Sequence, residues 1–404
     1  MPEAVIVSTA RSPIGRAYKG ALREMRPDDL AAAMVRASLD RVPELNSSDI
    51  DDLMLGIGYP AGTGGNNVAR VTAVLSGLPT VPGVTVSRFC SSSLQTTRMA
   101  FHAIKVGEGN AYLSVGVESC SSYGPDFADT PATFNPKFAE AVARSARRAE
   151  NGEAWSDPEE QGLLPDVYID MGQTAENVAQ TLGISREEQD AFAVRSQNRA
   201  EAAIADGFWA SDITPLTLPD GTVLDRDESP RAGATVESAA ALQPVFRANG
   251  TVTAGNACPL SDGAASLVIM SDRKAKELGL TPLARIVSTG VSALSPEFMG
   301  LGPVEASKRA LANAGLTTAD IDLFEINEAF AAQAIPSARQ LDIDEDRMNI
   351  FGGAIAVGHP FGMTGARITG TLINALQRTD GQFGLETMCV AGGQGMALII
   401  ERLS

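Results

Sequence analysis

Two stretches of this chain, LNSSDIDDLMLGI at residues 45–57 and LTTADIDLFEI at residues 316–326, repeat one pattern and so decide the fold. In both, a Ser or Thr helix cap is followed by an Asp-Ile-Asp turn and then by an apolar strand. An Ala- and Leu-rich helix precedes each stretch, at residues 28–40 and 304–315. The repeat therefore predicts two related halves in one chain.

A second shared pattern follows in each half. Residues 86–105, VSRFCSSSLQTTRMAFHAIK, and residues 351–377, FGGAIAVGHPFGMTGARITGTLINALQ, each lead from a strand through small residues into a helix. A strand follows each helix, at residues 111–119 and 385–393. Because strands alternate with helices, we expect an α/β layered fold that is duplicated within the chain.

The segment between the halves has a different composition. It is rich in Pro, Gly and acidic residues, with helical stretches but few strands. An insertion of this size typically covers an active site or carries ligand contacts. We therefore expect a first half at residues 1–120 and 251–271, an inserted loop domain at 121–250, and a second half at 272–404.

The overall charge excludes some partners. With 32 basic and 49 acidic side chains, the 404-residue chain has a net charge of −17. Such a surface repels nucleic acid and anionic membranes, and no apolar run approaches the roughly 20 residues that span a bilayer. Basic groups that receive an anionic ligand must then be local. Residues 137–148, KFAEAVARSARR, are either such a cluster or a solvated helix face.

The cysteines and the N-terminal stretch indicate a cytoplasmic protein. Four cysteines lie at positions with neither the spacing of a disulfide framework nor that of a metal site: Cys90, Cys120, Cys258 and Cys389. Reduced thiols in a cytosolic protein are the simplest account. The stretch MPEAVIVSTARSPIG lacks the basic start and long apolar core of a signal peptide.

The two histidines have different surroundings. His359 lies in GGAIAVGHPFGMTG, where closely spaced glycines let backbone and ligand approach and place the side chain on a tight strand-to-helix turn. His102 lies inside the helix SSSLQTTRMAFHAIK, where a packing or surface role is the simpler interpretation. His359 is therefore the catalytic candidate.

Cys90 stands where a strand meets that same helix. The unpaired N–H groups and the dipole of a helix start favour the thiolate, and the serines at 91–93 leave the sulfur accessible. A lone cysteine is more often an inert core residue. The position of Cys90 and the glycine-rich loop of the second half favour a reactive thiol instead.

Two further candidates come from strand ends. Cys389 lies in TMCVAGGQGMA, a strand followed by a Gly-rich turn whose N–H groups suit an anion or oxyanion. Asn327, in EINEAFAAQ, follows the second Asp-Ile-Asp strand. It either caps a helix or, at the carboxyl end of a strand, orients a water or a carbonyl.

These blocks, taken in order, resemble the signature blocks of the thiolase family. The four blocks are CSSSLQ (90–95), NEAFA (327–331), GGAIAVGHPFGMTGAR (352–367) and CVAGGQGMA (389–397), and TVTAGNACPLSDGAAS (251–266) resembles a fifth. The resemblance spans nearly the whole chain. It implies a duplicated layered αβαβα fold with an inserted loop domain.

The resemblance also implies a role for each catalytic candidate. Cys90 matches the acyl-accepting nucleophile, and His359 matches the base that activates it and lines a first oxyanion hole. Asn327 matches the residue that fixes a catalytic water in that hole, and Cys389 matches the acid/base that moves the α-proton. The backbone N–H groups of Cys90 and Ala391 match a second oxyanion hole.

Coenzyme A contacts are implied as well. Eight residues occupy places that face the pantetheine, adenine or phosphate in thiolases: Met171, Arg231, Ser238, Phe246, Ala254, Cys258, Ala329 and Phe330. Two positions depart from the family pattern. Ala391 stands where Gly is usual, which adds a methyl group but keeps the N–H, and Cys258 stands where Ser is common, which weakens a hydrogen bond.

The implied reaction is reversible cleavage of a 3-ketoacyl-CoA by CoA to acetyl-CoA and a shortened acyl-CoA, or condensation of two acetyl-CoA, through an acyl-cysteine intermediate. CoA and acyl-CoA are then substrates, and no metal or tightly bound cofactor is expected. A homodimer or homotetramer is expected by resemblance alone, as is a place in fatty acid metabolism such as β-oxidation.

Three alternative functions can be compared with this sequence. A ketoacyl synthase shares the fold and the nucleophilic cysteine but pairs it with two downstream histidines, whereas only His359 lies far beyond Cys90 among the catalytic blocks. A non-enzymatic CoA binder is disfavoured because all four catalytic positions are filled. Thiolase chemistry on an unusual substrate, such as a steroid side chain or a dicarboxylic acyl-CoA, stays open.

Overall fold

The computed structural model describes residues 1–123 and 130–404, in which strands and helices alternate. The strands are β1 (Ala4–Arg11), β2 (Gly15–Arg16), β3 (Asp52–Gly56), β4 (Gly83–Val86), β5 (Ala111–Ser119), β6 (Leu216–Thr217), β7 (Val223–Leu224), β8 (Ser261–Ser271), β9 (Ala284–Ala293), β10 (Leu323–Ile326), β11 (Phe383–Val390) and β12 (Gln394–Arg402). The helices are α1 (Pro27–Leu39), α2 (Val68–Leu75), α3 (Ser92–Val106), α4 (Ala139–Asn151), α5 (Met171–Leu182), α6 (Arg186–Ala205), α7 (Phe208–Asp212), α8 (Val236–Ala240), α9 (Asp272–Glu277), α10 (Gly302–Ala314), α11 (Ala331–Gln340), α12 (Ala354–Val357) and α13 (Thr364–Thr379).

One mixed sheet carries most of the described strands. Its order is β10-β11-β12-β9-β1-β8-β5-β3-β4, with β2 paired to β8. Outward from the central β1–β9 pair, each wing adds two antiparallel strands and then a parallel one: β8, β5 and β3 on one side, β12, β11 and β10 on the other. The two wings thus repeat one topology.

The repeated Asp-Ile-Asp has the same structural role in both wings. Its second aspartate, Asp51, precedes β3 and accepts hydrogen bonds from the N–H groups of Asn110 and Ala111 at the start of β5. Asp322 precedes β10 and accepts from the N–H groups of Gln382 and Phe383 at the start of β11. Each carboxylate therefore fixes the register of a parallel strand pair, since it satisfies N–H groups that lie beyond the ladder.

Helices cover both faces of each wing. Helices α1 and α2 pack on the outer face of the first wing, and α10 packs on that of the second. Helices α3 and α13 contact each other, and α13 contacts strands of both wings, so this pair lies between them. The order of layers is αβαβα, which confirms the predicted fold class.

The segment between β5 and β8 contains helices α4 to α8 and one small hairpin, β6–β7. A fully buried carboxylate, Glu297, anchors it: Glu297 accepts hydrogen bonds from Arg144 and Arg148 of α4, from the Trp155 indole and from the Asp166 N–H. Arg144 and Arg148 therefore belong neither to a ligand-binding cluster nor to a solvated helix face, and both interpretations of residues 137–148 are wrong for these two side chains. They hold α4 against Glu297. In the described part of the chain, no helix has the length and apolar character to cross a bilayer.

Candidate active site

Cys90 lies on a tight turn between a strand and a helix. The turn Phe89–Ser91 follows β4 and leads directly into α3, and Phe89 has a φ of +43°. A positive φ is strained for a bulky residue and has to be held in place by its surroundings. Ser92 does this, because its Oγ donates to the Phe89 carbonyl at 2.6 Å and accepts from the Arg88 N–H at 2.9 Å. The Cys90 residue itself is half-buried.

His359 lies on a loop of the second wing and is 1% exposed. Gly358 before it has a φ of +111°, and a Cβ there would lie 2.7 Å from Cγ2 of Ile14, so only glycine allows this approach. Nδ1 of His359 lies 2.6 Å from Oγ1 of Thr364, whose hydroxyl donates to the Pro360 carbonyl at 2.7 Å. Because that hydroxyl proton is already used, Nδ1–H donates to Thr364 and Nε2 carries a lone pair.

Asn327 stands next to that nitrogen, with its Nδ2 3.3 Å from Nε2 of His359. It directly follows β10, and its Oδ1 is buried without a hydrogen-bond partner among the described residues. A buried amide oxygen in this state is a place for a water or a substrate group. Helix α11 begins only at Ala331, with Phe330 at the cap position. The interpretation of Asn327 as a helix cap is therefore wrong.

Cys389 lies near the end of β11, fully buried and paired with Gly395 of β12. Burial raises the pKa of Cys389 well above its usual range, and the nearby Cys90 and Cys258 add to that rise. Ala391 follows on a turn whose next two residues have positive φ, as only glycine tolerates well. Cys389 is therefore protonated, as a group that donates a proton has to be.

The protonation states of the first pair differ from the sequence-based expectation. Burial raises the pKa of the Cys90 thiol to about 12, although the N–H groups of Ala391 and of Cys90 itself lower it. Burial, together with the charge of Arg367, lowers the pKa of His359 to about 3. The helix start does not lower the Cys90 pKa as its position suggested, because Cys90 precedes α3 on a separate turn and desolvation outweighs the two N–H groups. Both groups are neutral at physiological pH.

One cavity of about 490 Å³ is lined by Cys90, His359 and Cys389 together. Five of the predicted CoA contacts line the same cavity: Met171, Phe246, Cys258, Ala329 and Phe330. Asn327 stands behind His359, and Ala391 borders an adjoining cavity of about 330 Å³. The structure thus brings the predicted catalytic side chains from both wings to one place.

The other predicted CoA contacts lie apart from this cavity. Arg231 and Ser238 line a separate cavity of about 290 Å³ between α6 and α8. Ala254 is exposed and borders neither cavity, while the adjacent Gly255 borders the second.

Several site residues were missed by the sequence analysis. Tyr59, Tyr168 and Met299 line the cavity from three separate segments, two loops and the short 3-10 helix Pro296–Leu301, none of which carries a motif. Thr364, the partner of His359, had a signal that was overlooked, since it lies in the same glycine-rich block as the histidine.

These groups define a chemistry. A thiol, a neutral imidazole with an available lone pair, a second buried thiol and backbone N–H groups around one cavity form a site for acyl transfer through a cysteine. Within residues 1–123 and 130–404, no group of three or more His, Cys, Asp or Glu side chains is arranged to hold a metal ion.

Comparison with known proteins gives the same class. Residues 4–273 match the family described as "Thiolase, N-terminal domain" and residues 280–402 match "Thiolase, C-terminal domain". The chain is 42% identical to a 3-ketoacyl-CoA thiolase of Bacillus subtilis (99% of this chain, 100% of the relative). It is 43% identical to a 3-oxoadipyl-CoA/3-oxo-5,6-dehydrosuberyl-CoA thiolase of Escherichia coli (100% of both). The crystal structure of the Bacillus anthracis acetyl-CoA acetyltransferase superposes with a TM-score of 0.88 at 39% identity, over 100% of this chain and 99% of that one.

The chain belongs to the thiolase family. It is an acyltransferase whose reaction is the reversible cleavage of a 3-ketoacyl-CoA by CoA, or the condensation of two acetyl-CoA. Coenzyme A and its thioesters are its substrates rather than tightly bound cofactors. The predicted family, fold class and reaction are confirmed.

Proposed function

We propose that Cys90 accepts the acyl group and that His359 is the base that takes its proton. Their shared cavity and the lone pair on Nε2 of His359 support these roles. In the cleavage direction, the Cys90 sulfur attacks the keto carbon of a 3-ketoacyl-CoA while its proton passes to His359. Since both groups are neutral at rest, the proton leaves as the sulfur attacks.

The carbon–carbon bond between C2 and C3 then breaks, and its electron pair forms the enolate of acetyl-CoA. Cys389 donates a proton to C2, and protonated His359 and a water fixed by Asn327 hold the enolate oxygen. The unpartnered Oδ1 of Asn327 supports this water position. Each lost oxyanion donor should cost about a hundred- to thousandfold in rate.

The acyl group now on Cys90 is transferred to CoA. The N–H groups of Cys90 and Ala391 hold the carbonyl oxygen. The CoA thiol gives its proton to the Cys389 thiolate left by the previous step, the CoA sulfur bonds to the acyl carbon, and the bond to the Cys90 sulfur breaks as that sulfur takes back the proton held by His359. The lowering of the Cys90 pKa by these N–H groups supports their orientation. For CoA, we propose that Met171, Phe246, Cys258, Ala329 and Phe330 contact the pantetheine, and that Arg231, Ser238 and Ala254 lie along the nucleotide.

The adjoining cavity suggests which acyl group fits. It shares Tyr59, Tyr168, Ile169 and Met171 with the catalytic cavity, and its volume of about 330 Å³ is about twice that of a cavity that holds benzene. No charged side chain of the described residues lines it. The six residues at 124–129 contain aspartates but neither lysine nor arginine. We propose an uncharged acyl chain of several carbons rather than a dicarboxylic one.

The test is a set of kcat/KM values for acetoacetyl-CoA, 3-oxooctanoyl-CoA and 3-oxoadipyl-CoA. We expect kcat/KM to be higher for 3-oxooctanoyl-CoA than for 3-oxoadipyl-CoA. Val167→Trp fills the adjoining cavity, so it should lower the ratio of kcat/KM for 3-oxooctanoyl-CoA to kcat/KM for acetoacetyl-CoA about tenfold. Val223→Trp, at an exposed position on β7, should leave that ratio as in the wild type. A preference for 3-oxoadipyl-CoA would contradict the proposal.

For the whole protein, we propose the division given by the sequence: 1–120 with 251–271, 121–250 and 272–404. We also propose a homodimer or homotetramer. The half-buried edge strand β4 and the exposed apolar Val71, Val74 and Leu75 of the adjacent α2 support an interface there. Light scattering that gives a monomer mass would contradict it.

The four unpaired cysteines support a reducing, cytoplasmic compartment, and the acyl class supports a role in fatty acid breakdown such as β-oxidation.

A further inference from the structure

A buried carboxylate joins the two wings next to the catalytic cavity. Glu118 lies near the end of β5 and is 0% exposed. Its Oε2 accepts hydrogen bonds from the N–H groups of Gly58 and Gly362, each at 2.7 Å. Its Oε1 accepts from the Tyr123 hydroxyl at 2.6 Å and, more weakly, from the Tyr59 N–H at 3.4 Å.

The hydrogen bonds to this carboxylate favour its ionised form. Two N–H groups meet one oxygen at a short distance, which is the geometry of charge-assisted hydrogen bonds. A proton on Oε2 would face two further protons at 2.7 Å and find no acceptor. Burial raises the pKa of Glu118, and the hydrogen bonds from Tyr123, Gly58 and Gly362 oppose that rise.

The donors also belong to the loops that carry the reacting groups. Gly362 is on the loop that follows His359 in the second wing. Gly58 follows β3 in the first wing, and its carbonyl accepts a hydrogen bond from Oγ of Ser87 at 2.8 Å, just before the Cys90 turn. Glu118 therefore connects the base loop to the nucleophile turn through a chain of hydrogen bonds.

These loops have no room to shift. A Cβ on Gly362 would lie 2.3 Å from the Val117 carbonyl oxygen and 2.6 Å from Cα of Ile57. A Cβ on Gly58 would lie 2.7 Å from Oε2 of Glu118 itself. Backbone is thus in contact with backbone around the carboxylate, so that its two N–H contacts fix the loop positions closely.

We propose that Glu118 is a positioning residue that sets the approach of His359 to Cys90 and that, through its negative charge, keeps the Cys90 thiol protonated until His359 takes the proton. This inference rests on the proposed roles of Cys90 and His359. Burial raises the pKa of Cys90 and the Glu118 charge adds to that rise. The titratable groups that face Glu118 in the described part of the chain are Tyr123, Cys120 and Cys90. Those that face Cys90 also include Cys258 and Cys389.

The test compares two variants. Glu118→Gln keeps the shape but removes the charge and one acceptor, so we expect kcat for acetoacetyl-CoA cleavage to fall about a hundredfold, as for misplaced reacting groups, with a smaller change in KM. The pH dependence of Cys90 alkylation by iodoacetamide should also shift to lower pH, because the negative charge is gone. Glu118→Asp keeps the charge but shortens the reach. It should lower kcat at least tenfold while the alkylation profile stays near that of the wild type.

Glu176→Gln is the matched control. Glu176 is also a buried carboxylate that accepts backbone N–H groups, those of Thr251 and Val252, but it lies in the inserted segment. It should not shift the alkylation profile. Wild-type kcat in a folded Glu118→Gln, or an unshifted profile, overturns the proposal. If that variant does not fold, wild-type kcat in Glu118→Asp overturns it. Because alkylation needs no turnover, an enzyme inactive on every 3-ketoacyl-CoA refutes the proposed function separately.

Discussion

At the scale of single residues, burial governs the acid–base state of the site. Cys90 has its pKa raised to about 12 and His359 has its pKa lowered to about 3, both chiefly by desolvation. The thiol is therefore protonated below about pH 12 and the imidazole is neutral above about pH 3. Such a site stays reduced and protonated until a substrate enters, and it differs from cysteine enzymes that rest as a thiolate–imidazolium pair.

Alkylation of Cys90 should follow from this state. Between pH 6 and 9 the thiolate fraction rises with pH, so the rate of Cys90 modification by iodoacetamide should increase roughly tenfold per pH unit. Mass spectrometry of the Cys90 peptide after brief exposure measures the rate. A plateau below pH 8 would show a resting ion pair and contradict the assignment.

The roles proposed for Cys90 and Cys389 should separate on mutation. Cys389→Ala removes the group that takes the α-proton in the condensation direction, so condensation of acetyl-CoA should fall by about a hundredfold or more, while acetyl transfer to Cys90 persists. Trapping of the acetylated Cys90 peptide checks the second point. Cys120→Ala removes a buried thiol that does not line the cavity and should retain both half-reactions. Normal condensation by Cys389→Ala would exclude the assigned role.

At the scale of elements, the contact of α3 with α13 depends on one glycine. A Cβ on Gly365 would lie 2.3 Å from the backbone N of Leu94, whereas a Cβ on Gly370, further along the same helix, meets nothing closer than 3.6 Å. The helix pair between the wings thus packs backbone to backbone at Gly365.

Substitution of the two glycines should have opposite effects. Gly365→Ala forces the helices apart and should destabilise the protein by about 1–3 kcal/mol. Gly370→Ala adds a good helix former whose Cβ would meet Thr9 only at ordinary van der Waals distance, and it should stabilise the protein by up to about 1 kcal/mol. Urea unfolding of both variants measures the difference in the free energy of unfolding. Equal destabilisation would show that the contact at Leu94 is not tight.

The element scale also shows what the sequence could predict. Cys90, His359 and Cys389 each lie in a block of small residues at the end of a strand or the start of a helix, so local pattern was enough to single them out as candidates, whereas the role predicted for Asn327 came from the family resemblance. The positive φ of Phe89 could not be read from its residue type, because the strain is held by Ser92 from outside the turn.

The positions of Tyr59, Tyr168 and Met299 in the cavity could not be predicted for another reason. They reach the cavity from three segments far apart in the chain, and only the packing of the inserted segment on the wings brings them together. Glu118 likewise reads as an ordinary strand residue until its donors from both wings are known. Asp51 and Asp322, in contrast, could be recognised in the sequence because each wing needs a carboxylate at this position to accept backbone N–H groups of the neighbouring strand, so the same motif occurs twice.

At the scale of the whole molecule, the Glu297 carboxylate anchors the inserted segment. Its carboxylate is fully buried between Arg144 and Arg148. Burial raises the pKa of Glu297, but the Asp166 N–H and the two arginines lower it by more, so the pKa of Glu297 lies below its usual value. A carboxylate with a depressed pKa adds stability above its unfolded-state pKa, and that stability is lost as the pH falls through the folded-state value.

Glu297→Gln should therefore release α4. We expect a loss of about 3 kcal/mol, since it leaves buried arginines without their partner, together with faster hydrogen exchange in residues 139–151. Glu305→Gln removes an exposed carboxylate whose partner is Arg309 on the same helix, and it should change stability by less than about 0.5 kcal/mol. Unchanged exchange in α4 would contradict the anchoring role.

The matching wings meet at the β1–β9 seam, and the proposed nucleophile comes from one wing while the proposed base, the amide and the proposed proton donor come from the other. If the two wings were separate and identical chains, every copy would have to carry both the cysteine and the histidine. Because both wings lie in one chain, each carries only one of these groups: CSSSLQ leads into α3 with Cys90, and GHPFGMTG leads into α13 with His359.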